Sequence, residues 1–380
     1  MWINLLVIFI TLALGAYYIQ SEKVVQYTTK SGKNLTLILS GRKQYIILVC
    51  TMLILQSGLR NWGVGSDTYA YYEAFEYVKG MSWKDVLNSF IEVYQLGEGK
   101  DPGYNLFQKI IQVVIHDYQL YLILIAVIFF SAFGNFIYRN TSRVSDAVLA
   151  FTFYSVLFYA FFSITGHRQT IATAVALFGF ELIKKRKLLL FVIIIIIAAT
   201  IHKSVLIFLP LYFVVKLKNV KMFYGFILAI FPILFLFRVP VSNFFKLIGG
   251  YAEDFGIYAQ AGTPVFTALM ILIAVFVFMR YKEVLLIKPE AKLYYIAFAL
   301  ALFFVPLTWV NPSAMRVVQY FSIFMVVLIP VVVRSFTLNS VKWERAVYYL
   351  ILAALIIVFI QSGGIEYKFF WQEMRLGDNY

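Results

Sequence analysis

Charged residues, cysteine and histidine are all scarce in this chain of 380 residues. Charged side chains make up 14% of it, against about 25% in a typical soluble domain, whereas 62% of the residues are hydrophobic. A soluble domain of this length cannot bury so much apolar side chain. The single cysteine, Cys50, excludes an internal disulfide, and three scattered histidines disfavour a zinc site. The composition therefore excludes a soluble enzyme, a disordered chain and a nucleic-acid-binding domain.

The sequence contains many long apolar runs. A helix that crosses a membrane needs about 20 apolar residues, and the chain predicts an all-α polytopic membrane protein with about 12 spans, in a range of 11 to 14, as a single domain over 1–380. We expect the first run to be a retained span, because it begins at Trp2 without a basic segment or a cleavage site. The sixth and seventh runs are two spans or one kinked span. The runs are 2–19, 44–59, 119–138, 146–165, 169–183, 188–201, 204–215, 222–237, 265–279, 293–310, 317–333 and 346–361.

The basic residues are concentrated in alternate loops between the apolar runs. The formal net charge is +14, from 33 basic and 19 acidic residues. With the N-terminus outside, 21 of the 33 lysines and arginines fall in the inward loops, including the cluster Lys184–Lys187. Basic residues are enriched in short cytoplasmic loops, so this orientation places both termini outside the cytoplasm. The charge therefore reports topology, and no nucleic-acid partner is implied.

Two long segments lie on the outward side in this topology, 60–118 and 238–264. Within the first, apolar residues recur with helical spacing over 85–96 and 104–115, which predicts two amphipathic helices at the membrane surface. The segment begins with polar and aromatic residues, and we expect its Trp62, Tyr69 and Tyr72 to contact sugar rings.

Polar residues that can do chemistry cluster on the same outward side. Arg60 begins the long outward segment 60–118, and Arg168 and Arg316 stand in short outward loops. The planar guanidinium of arginine suits a phosphate group. His202 suits a general base near pH 7, with Asp67 as the second candidate. The competing interpretation is that the arginines are anchors which snorkel to lipid phosphates and that Asp67 is a helix N-cap.

Other catalytic motifs do not occur in the sequence. It has no Gly-x-x-x-x-Gly-Lys phosphate loop, no His-Glu-x-x-His and no Gly-x-Ser-x-Gly. Asp67 stands alone where a metal-dependent glycosyltransferase would use a pair of aspartates, so we expect chemistry without a metal or another cofactor.

Three short motifs resemble those of the EpsG family, which groups with the Wzy-type polymerases of bacterial O-antigen, capsule and exopolysaccharide. The first is Arg60-x4-Gly65-Ser66-Asp67-Thr68-x3-Tyr72-x2-Phe75. The second is Arg168-Gln169-x-Ile171-Ala172, followed by His202-x-Ser204, and the third is Arg316-x3-Tyr320-Phe321. The resemblance runs from about residue 45 to 335. This chain has Ile201 and Val205 where the family often has Phe and Ala.

The resemblance implies a fold similar to the glycosyltransferases that use lipid-phosphate sugar donors. It implies a protein of the bacterial cytoplasmic membrane that joins oligosaccharide repeat units carried on undecaprenyl diphosphate, at the outer face. Membrane lipids and a chain-length regulator protein are the further partners that it implies. In that reaction His202 or Asp67 is the base, and Arg60, Arg168, Arg316 and Gln169 bind the substrate.

Two other functions remain open from the sequence. A flippase for lipid-linked sugars also needs basic residues, although near mid-span. An O-antigen ligase shares the donor and differs in the acceptor.

Overall fold

The computed structural model describes residues 2–28, 34–39, 41–65, 67–249, 263–311, 313–362 and 366–373, with the backbone alone for 23–28, 34–39 and 246–249. Most of the second predicted outward segment, 250–262, and Ser66 of the first motif lie outside these residues. Within them the α-helices are α1 (Trp2–Gln20), α2 (Arg42–Gly58), α3 (Thr68–Gly80), α4 (Trp83–Ile91), α5 (Pro102–Ile111), α6 (Tyr118–Asn140), α7 (Val144–Leu157), α8 (His167–Lys184), α9 (Leu188–Ile201), α10 (Leu211–Val214), α11 (Val220–Leu236), α12 (Arg238–Gly249), α13 (Pro264–Met279), α14 (Tyr281–Ile287), α15 (Lys292–Phe304), α16 (Ala314–Ser322), α17 (Met325–Ser335) and α18 (Val341–Gln361). The π-helical segments are Glu92–Leu96 and Ala160–Thr165, and the 3₁₀ helices are Lys203–Phe208, Pro289–Ala291, Val305–Trp309 and Phe336–Leu338.

Helix covers all twelve apolar runs of the sequence. Four helices of the described residues are long and apolar enough to cross a membrane, and three bent pairs raise the number to seven if each pair is one span. The chain is thus a multi-pass membrane protein, and the count of twelve spans stays a prediction. The sixth and seventh runs are separated by a real break, because the backbone of His202 is extended (φ −155°, ψ 103°) between α9 and the 3₁₀ helix Lys203–Phe208.

Apart from a small β-hairpin, the regular structure of the described residues is helical, so the all-α prediction is confirmed. Strands β1 (Lys23–Thr28) and β2 (Asn34–Leu39) pair antiparallel, from Lys23 with Leu39 to Thr28 with Asn34. Both stretches combine β-branched and aromatic residues with intervening polar ones, a composition that favours strands. The sequence analysis treated them as part of an inward polar loop.

The first predicted outward segment folds into three helices, α3, α4 and α5. The predicted amphipathic helix over 85–96 corresponds to α4 with its π-helical continuation, and the one over 104–115 to α5. Ser82 and Asp85 form a capping box that starts α4, in which each side chain accepts a hydrogen bond from the other residue's backbone N–H. Asp67 occupies the N-cap position of α3, and its carbonyl accepts a hydrogen bond from the Tyr71 N–H at 3.2 Å, but its side chain makes no cap hydrogen bond to that helix.

The chain forms two compact units. Unit 1 comprises Met1–Gly99, Asn105–Leu177 and Tyr348–Tyr380, and unit 2 comprises Lys100–Tyr104 and Phe178–Val347. In unit 1, α2 packs closely on α6. The lack of a side chain at Gly134 permits this packing, since a Cβ atom there would lie 2.7 Å from Cys50 Sγ. In unit 2, the buried helix α15 packs on α11 and α16.

Candidate functional site

A glycine-containing turn after α2 carries the first motif. The Asn61 side chain accepts a hydrogen bond from the Gly63 backbone N–H at 2.9 Å, which closes the turn. Gly65 has a φ of +105°, and a Cβ atom there would lie 2.6 Å from Ile164 Cγ2. Glycine is therefore required at this position both by its backbone conformation and by the lack of space.

The C-terminal segment holds this turn in place within unit 1. The Asn61 N–H donates to the Lys368 carbonyl at 2.8 Å, and the Phe370 N–H donates to the Leu59 carbonyl at 2.9 Å. The Asn61 side chain also donates to the Gln372 carbonyl at 2.7 Å. These bonds form a short β-bridge that joins residues more than 300 positions apart, and the sequence carries no local signal for it.

Arg60 lies inside unit 1, with 2% of its surface exposed. Its Nη1 donates to the Ser57 carbonyl, and its Nη2 donates to the Ile164 carbonyl at 3.2 Å. The same Nη2 lies 2.8 Å from His167 Nε2. Arg60 therefore binds groups of this chain, whereas the sequence analysis assigned it to the substrate.

Residues 167–169 follow a tight turn at the start of α8. The His167 imidazole is buried and stacks on the Tyr71 ring at 4.3 Å between centroids. Arg168 is half-buried, and the centre of its guanidinium lies 5.7 Å from the centroid of the same Tyr71 ring. Gln169, predicted to bind substrate, is buried. Of the three, Arg168 is the most accessible to a ligand.

Three aromatic side chains predicted to contact sugars form one cluster. The Trp62 ring stacks on Tyr72 with centroids 4.9 Å apart, and it lies 5.8 Å from Tyr69. Tyr69 is exposed, and the other two rings are half-buried. Asp67, which is exposed, precedes the helix that carries both tyrosines. The cluster thus presents accessible ring surface, as stacking on a sugar requires.

Unit 2 pairs His202 with an aspartate that the sequence analysis did not single out. Asp101 Oδ2 lies 3.6 Å from His202 Nδ1, and Asp101 Oδ1 accepts a hydrogen bond from the Lys203 N–H at 3.3 Å. Both side chains are more than nine-tenths buried. A carboxylate at this distance from an imidazole stabilises its protonated form by charge.

The backbone conformation around Asp101 brings the Asp101 carboxylate close to His202. Asp101 adopts a left-handed conformation with a φ of +54° immediately before α5. Gly103 then lies against the end of α9, where a Cβ atom would be 2.8 Å from the backbone carbon of Thr200 and closer still to its hydroxyl. Glycine permits this approach.

A cavity of about 330 Å³ lies in unit 2. Its lining includes Arg316 and the two residues that follow His202 in the sequence, which are Lys203 and Ser204. The Ser204 hydroxyl lies 3.4 Å from the Tyr320 hydroxyl, which links the 3₁₀ helix to α16. The remaining lining is mostly apolar: Leu206, Ile207, Pro210, Ser242, Phe245, Phe304, Leu307, Asn311, Ser313, Ala314 and Val317.

The predicted site residues thus fall into two groups, one in each unit. Unit 1 holds Arg60, Asp67, Arg168 and Gln169 with the aromatic cluster, and unit 2 holds His202 and Arg316. The described residues contain no group of three or more histidine, cysteine or acidic side chains arranged to hold a metal ion.

Comparison with known proteins gives the family. Neither the curated proteins nor the solved structures contain a match to this chain. The model of the EpsG family matches residues 43–371, which is most of the chain and includes all three motifs. The chain therefore belongs to the EpsG family, a family of Wzy-like polysaccharide polymerases.

Proposed function

We propose that this chain polymerises oligosaccharide repeat units carried on undecaprenyl diphosphate, at the outer face of the bacterial cytoplasmic membrane. The cavity of unit 2 is the observation that carries the proposal. Its lining is mostly apolar but includes Lys203 and Arg316, and a lipid diphosphate needs both kinds of surface. His202, which is paired with Asp101, immediately precedes Lys203 in the sequence and supplies a candidate base.

The reaction assigns a role to each of these groups. An acceptor hydroxyl oxygen attacks the anomeric carbon of the donor sugar, and the bond from that carbon to the diphosphate oxygen breaks. The hydroxyl proton passes to His202, whose positive charge Asp101 stabilises. The diphosphate leaves on its lipid, and Arg316 and Lys203 stabilise its charge. The reaction balances without a metal, and we propose that none takes part.

Unit 1 supplies groups for the same class of substrate. We assign sugar contacts to Trp62, Tyr69 and Tyr72, because their clustered rings are partly accessible. Arg168 is assigned to a phosphate group, since this residue is only half-buried.

The sidedness of the membrane completes the proposal. We propose that both termini and the segment 60–118 lie outside and that Lys184–Lys187 lie inside, from the partition of 21 basic residues to the inward loops. Reporter fusions at Glu98 and at Lys185 test this assignment. A cytoplasmic signal at Glu98 would contradict an active site on the outer face.

The function itself is tested in a deletion strain complemented with variants, whose surface polysaccharide is sized on a gel. His202→Ala and Arg316→Ala should give single repeat units and no ladder. The control is Arg345→Ala, which changes an exposed arginine of the same unit. All proteins must be present at wild-type levels in the membrane.

The same gel separates the proposed function from the alternatives. Loss of all units would indicate a flippase, and a free ladder no longer attached to its final acceptor would indicate a ligase. If His202→Ala polymerises normally and Asp67→Asn does not, the base is Asp67. Normal ladders from both and from Arg316→Ala would show that these residues do no chemistry.

A further inference from the structure

The hydrogen bond between Arg60 and His167 fixes the protonation of a buried imidazole. A guanidinium has donors and no acceptor, so His167 Nε2, at 2.8 Å from Arg60 Nη2, must be the acceptor. The proton of the neutral ring is then on Nδ1. Burial is the largest cause that lowers the pKa of His167, which is the first residue of α8 and precedes the predicted span 169–183, and the positive charges of Arg60 and Arg168 lower it further.

The Tyr71 ring connects this imidazole to the guanidinium of Arg168. It stacks on His167 at 4.3 Å with an angle of 17° between the planes. The centre of the Arg168 guanidinium lies 5.7 Å from the same Tyr71 ring centroid, within the range of a cation–π interaction. A movement of the imidazole therefore disturbs the surface on which the Arg168 guanidinium rests.

The groups that face this cluster come from four elements. They are Arg60 after α2, Tyr71 on α3, Tyr118 on α6 and Arg168 on α8. The two arginines are cations, and the two tyrosines are neutral phenols at ordinary pH. A proton added to His167 would thus create a third positive charge and remove the acceptor of the Arg60 hydrogen bond.

We propose that His167, held neutral by Arg60, is a positioning residue that sets the Arg168 guanidinium for the phosphate of a lipid diphosphate. Protonation of His167 breaks the bond to Arg60, displaces the Tyr71 ring and weakens that binding. The proposal rests on the proposed function only for the identity of the ligand. It gives Arg60 an indirect role, in place of the direct contact that the sequence suggested.

Binding of undecaprenyl diphosphate to the purified full chain in nanodiscs tests this proposal without requiring turnover. His167→Gln keeps an acceptor for Arg60 and cannot be protonated, whereas His167→Ala loses the acceptor. At pH 7.5 we expect His167→Gln to bind within about threefold of the wild type, and His167→Ala about tenfold more weakly, as for the loss of one charge-assisted contact. The control is His116→Ala, which changes an exposed histidine of the same unit and should bind like the wild type.

The acid side of the pH profile supplies the second readout. The phosphate of the lipid titrates equally for all variants, so only the difference between wild type and His167→Gln reports His167. As the pH is lowered from 7.5 over the range in which the chain stays folded, the binding of the wild type should weaken more than that of His167→Gln. The extra loss should begin well below pH 6.5, the ordinary pKa of histidine, because burial and the two arginines lower the pKa of His167.

Three results would overturn the proposal. They are His167→Ala binding as tightly as the wild type, His167→Gln binding as weakly as His167→Ala, and equal pH dependence of His167→Gln and the wild type. Should the wild type bind the lipid in this way yet form no polymer from lipid-linked units, the proposed function fails and the positioning role stands.

Discussion

The charge of Asp101 can be removed with almost no change in shape. In Asp101→Asn the amide oxygen still accepts from the Lys203 N–H, which Asp101 Oδ1 does at 3.3 Å. Asparagine also tolerates the left-handed backbone that Asp101 adopts, with its φ of +54°. What disappears is the negative charge 3.6 Å from His202 Nδ1. The substitution therefore isolates the electrostatic contribution of Asp101 to a protonated His202.

The size of the effect follows from that distance. Two unit charges about 4 Å apart attract by about 4 kcal/mol at an effective dielectric constant of about 20. This is an upper limit for the stabilisation of the imidazolium, and it corresponds to about a thousandfold in rate. General-base help is typically worth about 10² to 10⁴ in rate. We therefore expect Asp101→Asn to lower kcat by about 10²-fold to 10³-fold.

Reconstituted protein provides the assay. The initial rate at which lipid-linked repeat units are consumed is measured over a range of donor concentrations, so that kcat and KM are obtained separately. Asp101→Asn should lower kcat and leave KM within about twofold, because the charge acts on the proton acceptor and not on binding. Glu98→Gln, at an exposed acid of the same segment, is the control. A kcat within threefold of wild type, or a change confined to KM, would refute the pairing of Asp101 with a catalytic His202.

The turn, the aromatic cluster and the absence of a metal each give a further prediction. Gly65→Ala should lower the thermal unfolding midpoint, since overpacking against Ile164 costs about 1–3 kcal/mol, and an unchanged midpoint would contradict the geometry of the turn. Replacing Trp62 and Tyr72 together by Ala should raise KM for the sugar acceptor about tenfold, from the loss of two stacking contacts of about 0.5–1.5 kcal/mol each. Tyr77→Ala, an exposed residue on the same helix, is its control, and equal KM values would exclude the sugar contact. Treatment with a chelator should leave the polymerisation rate unchanged, and a loss that Mg²⁺ restores would refute the metal-independent reaction.

The helices that consist of long apolar runs were predicted best from the sequence. The run 188–201 coincides with α9 at both ends, because Lys187 and His202 bracket it. The runs that became 3₁₀ or bent helices were still found, since their composition is apolar even where their backbone is irregular. The strands β1 and β2 were missed because each is short and mixes polar with apolar residues, and their pairing is a contact between two segments.

The site was predicted in part, for a reason that its contacts explain. A sequence with an arginine at the end of a span predicts a lipid anchor or a ligand of the substrate. Nothing in the sequence near Arg60 indicates that its side chain is buried inside the protein. Its partners Ile164 and His167 are 104 and 107 residues away. Asp101 was overlooked because its contact with Lys203 spans 102 residues. Local patterns cannot supply such pairings, although they can mark single residues such as His202 and Arg316 as candidates.

Polymer formation by the purified chain tests the central claim most directly. The protein is reconstituted in lipid with undecaprenyl-diphosphate-linked repeat units as the sole substrate, and the products are separated on a gel. The proposed function predicts a ladder of two and more repeat units from the wild type and single units from His202→Ala at equal protein levels. Single units alone from a folded wild-type protein, or the same ladder from His202→Ala, would contradict it.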